Sequence, residues 1–243
     1  MPLQGQAPSE EPAEAQMATS VPSDTAAPTA TETPAPSPTP TETPSPTPSI
    51  TPSPSVTPVY TPIRGHAVGQ TNCRYGPGGG YLYKYGLYEN YVVWIEGRDE
   101  TATWAYVQAL GFEDQCWVKG ELIKFDGDLA LVPYVEHKLP LTKYYQAPTG
   151  VHAKREGDLV VVSWNDIGMT EDKYRGYLIE AWVCRAGEIV FTPVWVDGTI
   201  KDILDEPGCA EESHGRLYGA EKHGYTRWVM IPWPQHPGTA GSQ

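Results

Sequence analysis

The stretch Gly176-Tyr177-Leu178-Ile179-Glu180-Ala181-Trp182-Val183-Cys184 decides the fold class. Side chains two apart share a face of an extended chain, so Tyr177, Ile179, Ala181 and Val183 form one apolar row. Trp182 points the opposite way. It is exposed if that face is open, and covered if a partner surface or second-sheet packing meets it. Around this stretch the pattern repeats. Leu159–Trp164 (LVVVSW) reads as a buried strand ending in Trp164, and Glu188–Val196, Thr199–Ile203, Leu217–Glu221 and Trp228–Ile231 read as further strands. Asp205–His214 is a polar loop containing Pro207-Gly208. Short strands with turn signals about every 8–12 residues indicate a β-sandwich.

Upstream, Tyr91–Glu96 (YVVWIE) and Thr103–Ala109 (TWAYVQA) alternate with a period of two, and Gly97-Arg98-Asp99-Glu100 reads as the turn between them. Trp94 shares a face with Val92, and Trp104 with Tyr106. Cys116-Trp117-Val118 is another short strand, and no helical period is present in this block. Residues 126–147 read as a connector. Within it Asp126-Gly127-Asp128 matches a fragment of a calcium loop, but the rest of that ligand pattern is missing, and a plain turn is the reading.

The N-terminal third differs in kind. Residues 1–20 are acidic and Ala-rich, and disorder is expected there. Residues 21–62 are a Thr/Ser/Pro tract without Lys or Arg. Proline fixes φ and lacks a backbone donor, and few apolar side chains are present to offset ordering entropy. An extended stalk rich in polyproline II follows, reaching about 130 Å at roughly 3.1 Å per residue. Residues 1–63 as a whole are read as a disordered Ala/Thr/Ser/Pro-rich stalk and 235–243 as a flexible tail. Such stalks separate a surface anchor from a displayed module, so function is expected C-terminal to it.

Of the net charge of −13, −6 falls in residues 1–63 and −7 in the remainder. A mildly acidic body without a basic run argues against nucleic acid and against an anionic membrane surface. Isolated cations such as Lys154 and Arg155 read as solvated strand positions. The 15 Tyr and 8 Trp against 3 Phe suit half-buried positions in thin β cores and binding surfaces.

Cys73, Cys116, Cys184 and Cys209 contain no CxxC pair, so neither a zinc knuckle nor a redox motif is signalled. An even number beside a stalk reads as disulfides in an oxidising compartment. Of the three connectivities, 73–116 and 184–209 are favoured, one in each composition block, each stabilising its block by roughly 3–4 kcal/mol. No apolar run is long enough for a transmembrane helix. Met1-Pro2-Leu3-Gln4 has neither a basic n-region nor an apolar h-region, so export requires a signal or lipoprotein sequence ahead of it.

The segment Asn72-Cys73-Arg74-Tyr75-Gly76-Pro77-Gly78, followed by Gly97, Trp104 and Cys116-Trp117-Val118, resembles the bacterial SH3-like (SH3b) domain over about 64–125. Cys116 stands where the closing Gly of that family would be, and Cys73 falls inside the opening motif. Gly76 and Gly78 are expected to supply positive-φ turns there, with Pro77 stiffening the loop. From Ala147-Pro148 to about 234 the chain resembles a fibronectin type III domain. The matching features are Pro148 before the first strand, Val162-Ser163-Trp164, and Tyr218 through Trp228 with His223-Gly224-Tyr225-Thr226-Arg227-Trp228. The long 204–214 loop and two cysteines depart from that pattern. The fold class expected is all-β: an SH3-like small barrel plus an immunoglobulin-like (fibronectin type III) sandwich, preceded by the stalk.

Chemistry is sparse. No G-x-S-x-G elbow, H-E-x-x-H or phosphate loop occurs. A papain-like endopeptidase, a common SH3b neighbour, has neither a free Cys nor the length it needs. Cys184, Cys209, His214 and His223 have zinc-ligand chemistry, but their spacing matches no short pattern and pairing of the cysteines is favoured. Glu211 and Glu212 beside His214 read as a solvated loop. No catalytic residue, cofactor or metal is expected.

The binding candidates are Tyr75, Tyr81, Tyr83, Tyr85 and Trp104. Tyr81, Tyr83 and Tyr85 alternate onto one face, and the SH3b resemblance implies that their loop borders a groove for cell-wall peptides. The alternative is that they cover a small barrel core. The expected protein is a non-catalytic, monomeric, exported bacterial surface protein whose SH3b module binds peptidoglycan peptide or another surface protein, the second β block serving as spacer or adhesion module. Two other readings stand beside it: an accessory targeting fragment of a cell-wall hydrolase, and a purely structural spacer.

Overall fold

Alternation of apolar and polar side chains dictates strands, and strands dominate the chain. The computed structural model describes residues 60–171 and 174–236; the stalk expected over 21–62, apart from its last three residues, lies outside them. The first block contains β1 (Ile63–Ala67), β2 (Thr71–Arg74), β3 (Tyr83–Leu87), β4 (Val92–Arg98), β5 (Trp104–Ala109), β6 (Gln115–Lys119) and β7 (Ile123–Phe125). They form one antiparallel sheet in the order β3-β2-β6-β5-β4-β1-β7. In β4, Val93 and Ile95 point inward, and in β5, Ala105, Val107 and Ala109 do. These residues meet Ala67, Leu87, Val118 and Ile123 in a single core, so the sheet wraps around its own apolar face. A bulge between Ile95 and Gly97 bends β4, which runs on to Arg98; the turn to β5 therefore begins at Asp99, two residues later than its sequence suggests.

The second block contains β8 (Thr149–Glu156), β9 (Leu159–Asn165), β10 (Gly176–Arg185), β11 (Glu188–Val196), β12 (Ile200–Leu204), β13 (His214–Glu221), β14 (Gly224–Tyr225) and β15 (Val229–Met230). One sheet has the order β12-β9-β8. The other has the order β11-β10-β13-β14, with β15 also pairing β13. Between them sit Val160, Val162, Trp164, Tyr177, Ile179, Ala181, Val183, Ile203, Leu217 and Trp233. This is the two-sheet sandwich that the period-two pattern of Tyr177–Val183 requires. The core tryptophan near the C-terminus is Trp233, while Trp228 is exposed.

Cys73 is bonded to Cys116, joining β2 to β6, and Cys184 to Cys209, tying the end of β10 to the polar loop. That loop is anchored at a buried carboxylate. Asp205 accepts from the guanidinium of Arg155, from the Ser213 hydroxyl, from Cys184 N at 2.9 Å and from Trp233 Nε1 at 2.9 Å. Arg155 is thus a buried ion-pair partner, whereas its neighbour Lys154 is a solvated strand position. Four donors hold Asp205 below the usual carboxylate range although burial alone would raise it.

Strand β10 is covered on both faces. Its second face, Leu178 and Glu180, packs against Tyr81 and Leu82 of the first block together with Tyr218, Ala220 and Tyr225. The connector reinforces this seam. Arg98 N donates to Pro133 O and Val135 N to Arg98 O, while Tyr225 N donates to Pro140 O and Thr142 N to Tyr225 O. One segment therefore extends both blocks by backbone hydrogen bonds. Asp126-Gly127-Asp128 is a turn in which Asp128 Oδ1 accepts from Ala130 N at 2.9 Å.

The glycines of the Arg74–Gly80 loop act by close approach. Gly76 and Gly78 do not have positive φ. A side chain at Gly76 would overlap the Tyr81 ring, and one at Gly78 would meet Pro193 Cγ at 2.2 Å. At Gly80 it would meet Pro193 O at 2.6 Å. Their small size lets the loop press against β11.

Candidate functional site: an aromatic groove beside a buried carboxylate

Two neighbouring constellations use the aromatic residues. The first fills the seam. Glu180 is 0% exposed, and opposite it across the β10–β13 ladder stands Arg216. Glu180 Oε1 accepts from the Tyr81 hydroxyl and from His137 Nε2 at 2.7 Å. Oε2 accepts from Arg216 Nε and from the Tyr218 hydroxyl at 2.7 Å. Burial pushes this carboxyl up, but the His137 contact, followed by the two phenol donors, outweighs it and holds it at about 2. The same burial and the adjacent carboxylate raise the Tyr81 and Tyr218 phenols, which stay protonated donors. With both oxygens doubly satisfied, Glu180 is held as a structural anion.

This corrects the placement of Tyr81. It is 1% exposed, with its ring under the second block, so it cannot wall an open groove. Tyr81 also precedes β3, so the continuous alternation through Tyr83 and Tyr85 fails. Tyr83 is 43% exposed and lines a separate cavity of about 280 Å³ with Arg74 and Trp195. Tyr85 stacks on Phe112 with centroids 3.9 Å apart and donates to Asp114 O at 2.9 Å, holding edge strand β3 against the β5–β6 turn. Trp104 is half-buried at the start of β5, outside the groove described next.

The second constellation is a groove of about 900 Å³ between the outer face of the first sheet and the connector. Neighbouring strands place its rings in a row: Trp117 pairs Arg74 across β2–β6 and Tyr106 across β6–β5. Trp117 is the buried floor, and Tyr106 leans on it at 5.0 Å and 44°. Tyr75 closes one end, its ring edge-on to Tyr225 at 6.4 Å, with Lys84 Nζ 5.3 Å above it. Glu136 and Lys138 of the connector and the Lys84–Asp114 pair at 3.4 Å balance the rim charge. Burial, then the nearby Asp114, raises the Tyr75 phenol; burial, then Glu96, raises Tyr106. Both rings are neutral amphipathic walls.

Of the residues singled out from sequence, only Tyr75 borders this groove. Tyr106 had a legible signal, since it shares the outward face of Trp104. Trp117 was singled out only as part of a closing strand, and Lys84 and the 134–140 segment carried no signal, because strand pairing and the path of the connector bring them together. Cys184 and Cys209 are bonded to each other, which removes both thiolates from a zinc set with His214 and His223.

No family model matches the chain, and no curated protein matches it. Among solved structures it is similar to the crystal structure of chicken CNTN1 FN1-FN3 domains, at 17% identity and a TM-score of 0.26, over 70% of this chain and 56% of that one. The chain thus spans little more than half the length of that structure. Two antiparallel sheets, β12-β9-β8 and β11-β10-β13-β14, enclose one core around Trp164. The second block is a two-sheet antiparallel β-sandwich. Among the described residues no helix is long and apolar enough to cross a membrane, and the two disulfides fit an oxidising, extracellular environment.

Proposed function

We propose that this is a non-catalytic binding protein of the bacterial surface whose Tyr75–Tyr106–Trp117 groove takes an extended peptide, with the fibronectin-like block as its rigid support. The groove itself carries the reading: aromatic rings in a row, with lysine and carboxylate side chains of both signs along the rim. Extended peptides bind such surfaces by laying apolar positions on rings and polar groups on the rim. The resemblance of Asn72–Gly78 and Cys116–Val118 to SH3b domains supports a cell-wall peptide as that ligand. The Cys73–Cys116 bond joins β2, which leads into Tyr75, to β6, which carries Trp117, and so favours a groove formed before ligand arrives. The Thr/Pro tract of residues 21–62 supports display away from an anchor.

Co-sedimentation of the full chain with purified sacculi tests this. Saturable binding that falls at least tenfold in Tyr75→Ala/Tyr106→Ala is expected. Absence of binding by the oxidised wild type overturns the wall ligand and leaves the spacer reading.

A further inference from the structure

A second cleft, of about 750 Å³, opens on another side of the seam and has a different electrostatic character. Tyr134 of the connector, Trp182 of β10 and Phe191 of β11 form its apolar surfaces, with Trp182 and Phe191 packed at 4.8 Å. Carboxylates enter from three separate places: Glu100 in the turn after β4, Glu188 at the start of β11, and Glu211 in the disulfide-tied loop. Among the described residues none of these three takes part in an ion pair, and no Lys or Arg lines the cleft. The nearest arginine on the rings, Arg216, has its Cζ 5.2 Å from the Trp182 centroid and is neutralised by Glu180. Asp99, also at the cleft, is engaged by Thr101 and by Trp104 N.

Aromatic faces attract cations, and unpaired carboxylates around them add to that attraction. The volume falls in the range of ligand-sized sites. Because Glu100 comes from the first block and Glu188 and Glu211 from the second, the charge pattern exists only when the blocks are docked. We propose that this cleft binds a basic peptide segment of a partner protein, with Lys or Arg side chains meeting Glu100, Glu188 and Glu211 and apolar side chains packing on Trp182 and Phe191. It shares only Tyr134 and Val135 with the Tyr75–Tyr106 groove, and its charge and its Trp182–Phe191 surface do not depend on what that groove binds.

The test uses the oxidised full chain and a fluorescein-labelled peptide of alternating Lys-Leu and Lys-Gly, read by anisotropy at about 0.1 M salt, where charges more than roughly 10 Å apart are screened. Its counterpart with Glu in place of Lys is the charge control. Saturable binding of the basic peptide only is expected, weakened roughly tenfold by Glu188→Gln/Glu211→Gln, since each exposed charge contact contributes modestly. Glu89→Gln/Asp126→Asn removes the same charge from exposed residues that do not line the cleft and should leave affinity within about twofold. Tyr106→Ala should leave it unchanged. No saturable binding overturns the proposal. So does equal weakening by the two charge pairs, which would mean general attraction to an acidic surface. Loss in Tyr106→Ala would move the peptide to the other groove and also overturn it.

Discussion

The hydroxyl of Tyr81 donates to Oε1 of Glu180 across the seam, joining a loop of the first β block to the central strand of the second. With His137 from the connector and Arg216 and Tyr218 from β13, this bond makes one polar cluster around a buried carboxylate out of four chain segments. A buried carboxylate with four donors costs desolvation, and what it gives is a unique alignment of its partners.

Breaking the cluster is therefore expensive. Glu180→Ala strands Arg216 and three other donors and is expected to lower stability by about 3–5 kcal/mol. Tyr81→Phe removes a single donor and should lower it by about 1–3 kcal/mol. Urea unfolding followed by tryptophan fluorescence measures both, and similar losses for the two variants would argue against Glu180 as the organising group.

The same carboxylate sets an acid limit. Its folded value of about 2 lies below its ordinary value of 4.5, so its contribution is fully present above about pH 4.5 and is lost as pH falls toward about 2. The amount at stake is on the order of 3 kcal/mol. Asp205, also held low, acts in the same direction. Glu180→Gln should therefore flatten, without abolishing, the decline in stability below pH 4.5, as read by urea midpoints across that range.

Close approach in the Gly-rich loop gives a steric test. Adding a methyl at Gly80 places it 2.6 Å from Pro193 O, a backbone atom that cannot swing aside. Gly80→Ala should cost about 1–3 kcal/mol and raise amide exchange at Leu82, whose N–H donates to the Tyr225 hydroxyl at 2.8 Å. Gly79→Ala meets open space and should change neither.

How much of this was readable beforehand follows the physics of pattern. Alternation placed β9, β10 and β11 within a residue or so, because one face of each faces the sandwich core and burial enforces a period of two. The opposite face of β10 was not readable. A Glu between apolar residues looks solvent-facing, and only the approach of Tyr81 and His137 reveals that Glu180 is buried. Arg155 misled for the same reason, since its partner Asp205 is distant in sequence. The tyrosines were recognised as a group, but the bulge between Cys73 and Arg74 and the short β3 split them among seam, surface and sheet edge.

The disulfide under the groove links stability to binding. Cys73→Ala/Cys116→Ala should cost roughly 3–4 kcal/mol and weaken peptide binding by loosening β2 against β6. Cys184→Ala/Cys209→Ala should cost a similar amount and leave groove affinity unchanged, because that bond is confined to the second block. Denaturant unfolding and sacculus binding of the two variants separate these effects.

The most direct measurement is a titration of the isotope-labelled full chain with a soluble cell-wall stem peptide, followed by NMR. The account predicts saturable shifts at the Trp117 indole and at the amides of Lys84, Gln115 and Glu136–Leu139, with the Trp164 and Trp233 indoles unmoved. Shifts confined to the sandwich, or none at saturating peptide, would contradict it.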